Sequence, residues 1–114
     1  MKKYLMQDLK DKAIALSDDV DNDDLVSDVF KLIIEIYGYN GIIQGIEFVE
    51  KFVKDCRGLV FMKVKDLCLS GEYGHAFKTY LENKELLKYS DENILHDLTL
   101  YLQIDEYEKT QIVS

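Results

Sequence analysis

Residues 56–71, CRGLVFMKVKDLCLSG, decide the fold class of this 114-residue chain. The β-branched and aromatic residues of this stretch suit a strand, whereas Val60, Val64, Leu67 and Cys68 recur at helical spacing. No second stretch offers a strand to pair with it, and a lone strand cannot satisfy its backbone hydrogen-bonding groups. We therefore predict that the stretch is a helix and that the chain is all-α.

The same apolar spacing runs through the rest of the chain and predicts five or six short helices in a single compact domain, residues 1–114. The chain contains no proline that would interrupt them, and bundle or helical-hairpin packing is expected. The residues predicted to face the core include Leu5, Leu9, Ala13 and Leu16; Val26, Val29, Ile33 and Tyr37; Ile42, Ile46, Val49 and Val53; Tyr73, Ala76, Phe77 and Tyr80; and Leu95, Leu98 and Tyr101.

Three short stretches carry signals for helix ends. Asp21 or Asn22 is expected to cap the second helix, whose first turn is acidic. The stretch YGYNG, residues 37–41, offers two glycines and an asparagine for the end of that helix. Ser90 is expected to cap the last helix, with Asp91 and Glu92 in its first turn.

The charge balance narrows the classes of partner. The net charge is −8, and Arg57 is the only arginine, so direct binding to nucleic acid is disfavoured and a basic protein partner is favoured. No apolar run approaches the length of a membrane span, and residues 1–17 lack the apolar core of a signal peptide. With only two cysteines, the expected location is the reducing cytoplasm.

The acidic stretch SDDVDNDDLVSD, residues 17–28, contains six aspartates and no basic residue. A calcium loop beginning at Asp19 would place Asp21 and Asp23 at ligand positions. However, Asp24 then stands where the loop needs glycine, and Phe30 stands where it needs a bidentate glutamate. A calcium site is therefore not expected.

Other site chemistry finds no support in residue spacing. Cys56, Cys68, His75 and His96 lack the close pairs of a zinc site, and both histidines fall on the side of their helices opposite the apolar stripe. Cys68 falls with the core residues. The chain has no glycine-rich phosphate loop and no serine elbow, and its acidic pairs fall in stretches expected to be solvated. We expect no catalytic residue, no metal ligand and no cofactor, and we do not expect an enzyme.

Two interpretations of the acidic stretch stay open. In the first, the aspartates cap and solvate the second helix; in the second, the surplus charge forms a docking surface for a basic protein. Tyr39, in the turn after this helix, either packs over its own core or anchors an interface. The candidate partner-binding residues are Asp18, Asp19, Asp21, Asp23, Asp24, Asp28, Glu35 and Tyr39.

Residues 64–104, VKDLCLSGEYGHAFKTYLENKELLKYSDENILHDLTLYLQI, resemble the closing helices of small immunity proteins from bacterial polymorphic-toxin and contact-dependent-inhibition systems, the MafI-like type. The resemblance rests on a helix ending in Gly71-Glu72, on Ala76 within an amphipathic helix, and on Ser90 opening a final helix. It implies a non-catalytic protein that binds a cognate toxin domain, often a basic nuclease, and blocks its activity.

The alternative is a helical structural or adaptor domain, TPR-like or oligomeric, whose charge serves solubility. A weak echo between YGYNGII (37–43) and GEYGHAF (71–77) is about one tetratricopeptide repeat apart, but a stable array needs roughly three repeats or more. A protein that mimics the charge of DNA would carry acids over much of its surface, whereas here they concentrate in one stretch.

Overall fold

The computed structural model describes residues 2–88, 90 and 92–103, and every regular element in this part of the chain is helical. The all-α prediction is therefore confirmed for the described residues. They form α1 (Lys2–Ser17), α2 (Asp23–Tyr37), a 3₁₀ turn (Tyr39–Gly41), α3 (Ile42–Val49), α4 (Arg57–Leu69), α5 (Tyr73–Glu82), α6 (Lys84–Leu87) and α7 (Glu92–Leu102). The predicted number of helices was too low, because Asn83 separates α6 from the end of α5.

The chain forms two compact units, Met1–Leu59 and Val60–Ser114. The first unit holds α1, α2, the 3₁₀ turn and α3, and the second holds α5, α6 and α7. α4 begins at Arg57 in the first unit and continues into the second. Its helical state confirms the interpretation of residues 56–71, and Val60, Val64, Leu67 and Cys68 are all buried.

In the first unit, α1 and α2 form a helical hairpin, because only residues 18–22 join them and α1 packs along α2. The core of the hairpin matches the predicted apolar stripes. Leu9, Ala13 and Leu16 of α1 are fully buried, as are Val29 and Ile33 of α2.

Two glycines shape the passage from α2 to α3. Gly38 follows α2 with φ 77° and ψ 172°, a conformation open almost only to glycine, and its N–H donates to Ile34 O at 2.8 Å. The predicted helix end is thus confirmed. Gly45 lies on the buried side of α3, where a Cβ atom would overlap Ile33 Cγ2 and lie 3.0 Å from Tyr37 Cδ2. The absence of a side chain at Gly45 lets α3 approach α2 closely.

In the second unit, α5 is rotated from its predicted orientation. Ala76 and Tyr80 are buried as expected, but Tyr73 is 56% exposed and Phe77 is 38% exposed. Thr79 takes an inward position instead, and its Oγ1 donates to His75 O at 2.9 Å. Because this bond lies within the helix, Thr79 can be buried without leaving its hydroxyl unsatisfied.

The start of α7 differs from the prediction. α7 begins at Glu92, so Ser90 lies outside the helix, and its buried Oγ has no hydrogen-bond partner among the described residues. The predicted cap at Ser90 is therefore wrong, and Asp91, expected in the first turn, lies outside the described residues. The predicted core residues Leu95 and Leu98 are buried. Within the described residues, none of the helices combines the length and apolarity that a membrane crossing requires.

Candidate protein-binding surface

The acidic loop, defined here as residues 18–24, takes its shape from local hydrogen bonds. The backbone N–H of Asp19 donates to Leu16 O at 3.0 Å, and that of Asn22 donates to Asp19 O at 3.0 Å. The Asn22 side chain caps α2, because its Oδ1 accepts from Leu25 N at 3.1 Å. Its Nδ2 donates to Asp19 Oδ2 at 3.1 Å. Of the two predicted caps, Asn22 is the one used.

Cys56 and Arg57 hold the acidic loop from a distance of 36 residues along the chain. Cys56 Sγ donates to Val20 O at 3.2 Å, and Arg57 Nη2 lies 2.8 Å from Asp21 Oδ1. A Cβ atom on Gly58 would lie 3.0 Å from Val26 Cγ1, so the backbone of α4 passes close to the first turn of α2. The acidic loop is thus fixed at both the local and the tertiary level.

Most carboxylates of the acidic loop face solvent without a cationic neighbour. Asp18, Asp19, Asp23 and Asp24 are exposed, and none makes an ion pair with a described residue. Asp23 and Asp24 occupy the first turn of α2, where negative charge is favourable, as predicted. Asp21 is exposed too, but Arg57 neutralises it.

Asp28 differs from the loop aspartates. Lys12 Nζ of α1 lies 3.4 Å from Asp28 Oδ2, so this carboxylate is paired across the hairpin. The sequence of α2 alone could not show this pair, because Lys12 belongs to α1. Glu35, lower on the same face, is exposed. Among the predicted partner-binding residues, Asp18, Asp19, Asp23, Asp24 and Glu35 therefore make no ion pair with a described residue.

An open groove runs between α1 and α2 beside this face, with a volume of about 700 Å³. It is lined by Asp8, Asp11, Lys12, Ala15, Asp28, Lys31 and Leu32. Among the predicted partner-binding residues, only Asp28 lines it. Lys12, Asp8 and Asp11 were missed because their relation to α2 depends on how the hairpin packs. The contact of Arg57 with the acidic loop was also not predicted, although Arg57 is the only arginine in the sequence.

Tyr39 stands in the 3₁₀ turn with 76% of its side chain exposed. It does not pack over its own core, so that interpretation is wrong; the role of Tyr39 in an interface stays a prediction. Tyr39 follows the end of α2, and the acidic loop lies at its start, so most of the length of α2 separates the two.

The cysteines and histidines occupy separate environments. Cys56 and Cys68 are free thiols. Burial raises the pKa of both. His75 and His96 are exposed, as predicted. Within residues 2–88, 90 and 92–103, no group of three or more His, Cys, Asp and Glu side chains is arranged to hold a metal ion.

Comparisons with known proteins found no match: no family model, no curated protein and no solved structure resembles this chain significantly. The interpretation of the surface therefore depends on its own chemistry.

Proposed function

We propose that this chain is a non-catalytic, acidic helical binding protein that inhibits a basic protein, as an immunity protein inhibits a cognate toxin or nuclease domain. The observation that supports the proposal is the acidic loop. Asp18, Asp19, Asp23 and Asp24 present four carboxylates to solvent, in a loop held by a helix cap and by Cys56 and Arg57.

The aspartates of the acidic loop repel one another, because they carry like charges at close spacing. Local structure stabilises only some of these aspartates. Asp23 and Asp24 gain about 0.3–1 kcal/mol each from the α2 dipole, and the ion pair to Arg57 offsets Asp21. Neither Asp18 nor Asp19 makes an ion pair with a described residue. Binding to a cationic surface is the function that would use them.

The fixed geometry of the loop suits rapid, oriented association. Exposed charge at the edge of an interface steers the encounter and contributes less to the lifetime of the complex. Tyr39, exposed beyond the far end of α2, would add an aromatic contact of the kind that anchors protein interfaces. The partner implied by this chemistry is a protein with a basic surface, in line with the resemblance to toxin-inhibiting proteins.

The test begins with capture of partners from cells that carry the gene, followed by purification of any basic protein recovered. Association is then measured for wild type, for Asp18→Asn/Asp19→Asn/Glu35→Gln, and for the matched control Glu47→Gln/Glu72→Gln/Glu92→Gln. Both triple variants remove three exposed charges that make no ion pair with a described residue. We expect the first variant alone to lower the association rate by about tenfold at low salt.

Inhibition itself is the second readout. The purified partner should lose its toxic or nuclease activity in the presence of stoichiometric wild-type chain. A partner whose activity is unchanged, or an association rate that is equal for the two triple variants and insensitive to salt, would contradict the proposal.

One observation favours the alternative, a structural or adaptor domain. Tyr73, Phe77 and Leu81 of α5 are 56%, 38% and 51% exposed and recur every four residues, so they form an apolar stripe on one face. Such a stripe could join two copies of the chain. Sedimentation would detect this as a mass that rises with concentration and returns to the monomer in Phe77→Glu.

A further inference from the structure

We propose that the groove between α1 and α2 receives an arginine or lysine side chain of the basic partner. This inference rests on the function proposed above and adds a specific binding site for one side chain of the partner. The groove is distinct from the acidic loop, since Asp28 is the only predicted partner-binding residue that lines it.

The charges of the groove are unequal. Three carboxylates, those of Asp8, Asp11 and Asp28, face two ammonium groups, those of Lys12 and Lys31. Lys12 is committed to Asp28 at 3.4 Å, and both side chains are 45% exposed. Asp8 and Asp11 make no ion pair with a described residue, and Asp11 accepts only the amide of Gln7, at 2.9 Å.

Asp8 and Asp11 lie three residues apart on α1, so their carboxylates are neighbours on one face of the helix. Two like charges on neighbouring positions of one helix face repel each other. A guanidinium placed between them would remove the repulsion and donate to both carboxylates at once. Arginine fits this arrangement better than lysine, because its donors form a fixed fork.

The remaining lining suits the rest of such a side chain. Ala15 and Leu32 give the groove an apolar wall, against which the methylene groups of an arginine or lysine can pack while the head stays among the carboxylates. An anionic ligand would meet three carboxylates, and an apolar ligand would desolvate five charged groups. A cationic side chain meets three carboxylates and two ammonium groups, and the ammonium group of Lys12 is already paired with Asp28, so the balance of charge favours a cation.

The groove and the acidic loop can serve the same partner. Asp24 of the loop and Asp28 of the groove lie one helical turn apart on α2, which places their Cβ atoms roughly 6 Å from each other. A basic surface attracted by the loop would therefore bring its side chains to the mouth of the groove.

A short probe tests the groove without the partner. Backbone amide shifts of the isotope-labelled full chain are followed as the peptide acetyl-Ala-Arg-Ala-amide is added, and the citrulline version of the peptide serves as an uncharged probe of the same shape. We expect saturable shifts at Asp8, Asp11, Lys12, Ala15, Asp28 and Leu32 with the arginine peptide only.

Two variants locate the effect, and one controls for net charge. Asp8→Asn/Asp11→Asn should weaken binding of the arginine peptide about fivefold, the loss expected for two exposed charge pairs. Ala15→Met should weaken it by filling the groove with no change of charge. Glu47→Gln/Glu72→Gln, which removes two charges that do not line the groove, should change it less than twofold.

Shifts that do not saturate, equal shifts with the citrulline peptide, or shifts confined to residues 18–24 would overturn the proposal. Failure here is separable from failure of the proposed function. If Asp18→Asn/Asp19→Asn/Glu35→Gln slows association with the partner while the groove variants do not, the groove proposal alone is wrong.

Discussion

Arg57 Nη2 lies 2.8 Å from Asp21 Oδ1 and joins the start of α4 to the acidic loop. The Arg57 side chain is 26% exposed, and Asp21 is 60% exposed. The neighbouring bond from Cys56 to Val20 O connects the same two segments, so residues 56 and 57 hold consecutive residues of the loop. Because residues 18–22 lie between α1 and α2 and belong to neither helix, these long-range contacts add to the local bonds that define how the carboxylates of the loop are presented.

We expect Arg57→Gln to lower the free energy of unfolding by about 0.5–1 kcal/mol, since the pair is only partly exposed. Asp21→Asn should cost a similar amount, and the double variant should cost less than the sum of the two. Urea unfolding monitored by circular dichroism measures all three. The control is Lys78→Gln, because the Lys78–Glu82 pair is longer, at 3.9 Å, and more exposed. Fully additive effects of Arg57→Gln and Asp21→Asn would show that the pair contributes nothing.

Gly45 offers a test of close packing between α2 and α3. In an open helix, exchanging glycine for alanine stabilises by roughly 0.5–1 kcal/mol, but at Gly45 the new Cβ would overlap Ile33. We expect Gly45→Ala to destabilise by about 1–3 kcal/mol, measured by thermal or urea unfolding. The matched control is Gly74→Ala in α5, where no atom lies within 4 Å of the new Cβ and no loss is expected. Equal effects at the two sites would contradict the close approach.

Because Cys56 and Cys68 are buried, we expect the free energy of unfolding to depend on pH in the alkaline range. Burial, the first cause, raises the pKa of Cys56 and Cys68 above the ordinary value of 9.0; at Cys56, backbone hydrogen bonds from Leu59 and Gly58 oppose it. The folded chain therefore holds these protons more tightly than the unfolded chain, so the stabilisation is present below pH 9.0 and is lost as the pH rises through the folded pKa.

We expect the stability of the wild type to fall more steeply between about pH 8 and pH 10 than that of Cys56→Ala/Cys68→Ala, under reducing conditions. Urea unfolding across this range measures both slopes, and the constant loss from the two cavities does not affect their comparison. Parallel slopes for the two proteins would show that the thiols ionise equally in the folded and unfolded states.

Local signals in the sequence predicted the helices well because helix formation depends on neighbouring residues. The spacing of apolar residues placed α4 in spite of its β-branched residues, Asn22 was one of two caps proposed for α2, and Gly38 marked its end. Each of these features is settled within about one or two turns of chain.

Local signals did not predict which face of α5 is buried. Tyr73 and Phe77 are more apolar than Thr79, so periodicity placed them inside, yet Thr79 is buried and they are exposed. The threonine hydroxyl is satisfied by the carbonyl of its own helix, which removes most of the penalty for burying it. Which side of a broad apolar stripe turns inward then depends on the neighbouring helices.

For the candidate binding surface, the sequence by itself determined the concentration of acidic residues between α1 and α2 and the cap that turns the chain into α2. Only the tertiary structure decided which of the acidic residues are paired. Lys12 reaches Asp28 across the hairpin, and Arg57 reaches Asp21 from 36 residues away, whereas Asp18, Asp19, Asp23 and Asp24 make no ion pair with a described residue. The reason is physical: a side-chain ion pair forms within a few ångströms in space, and separation along the chain does not limit it once packing has brought the helices together.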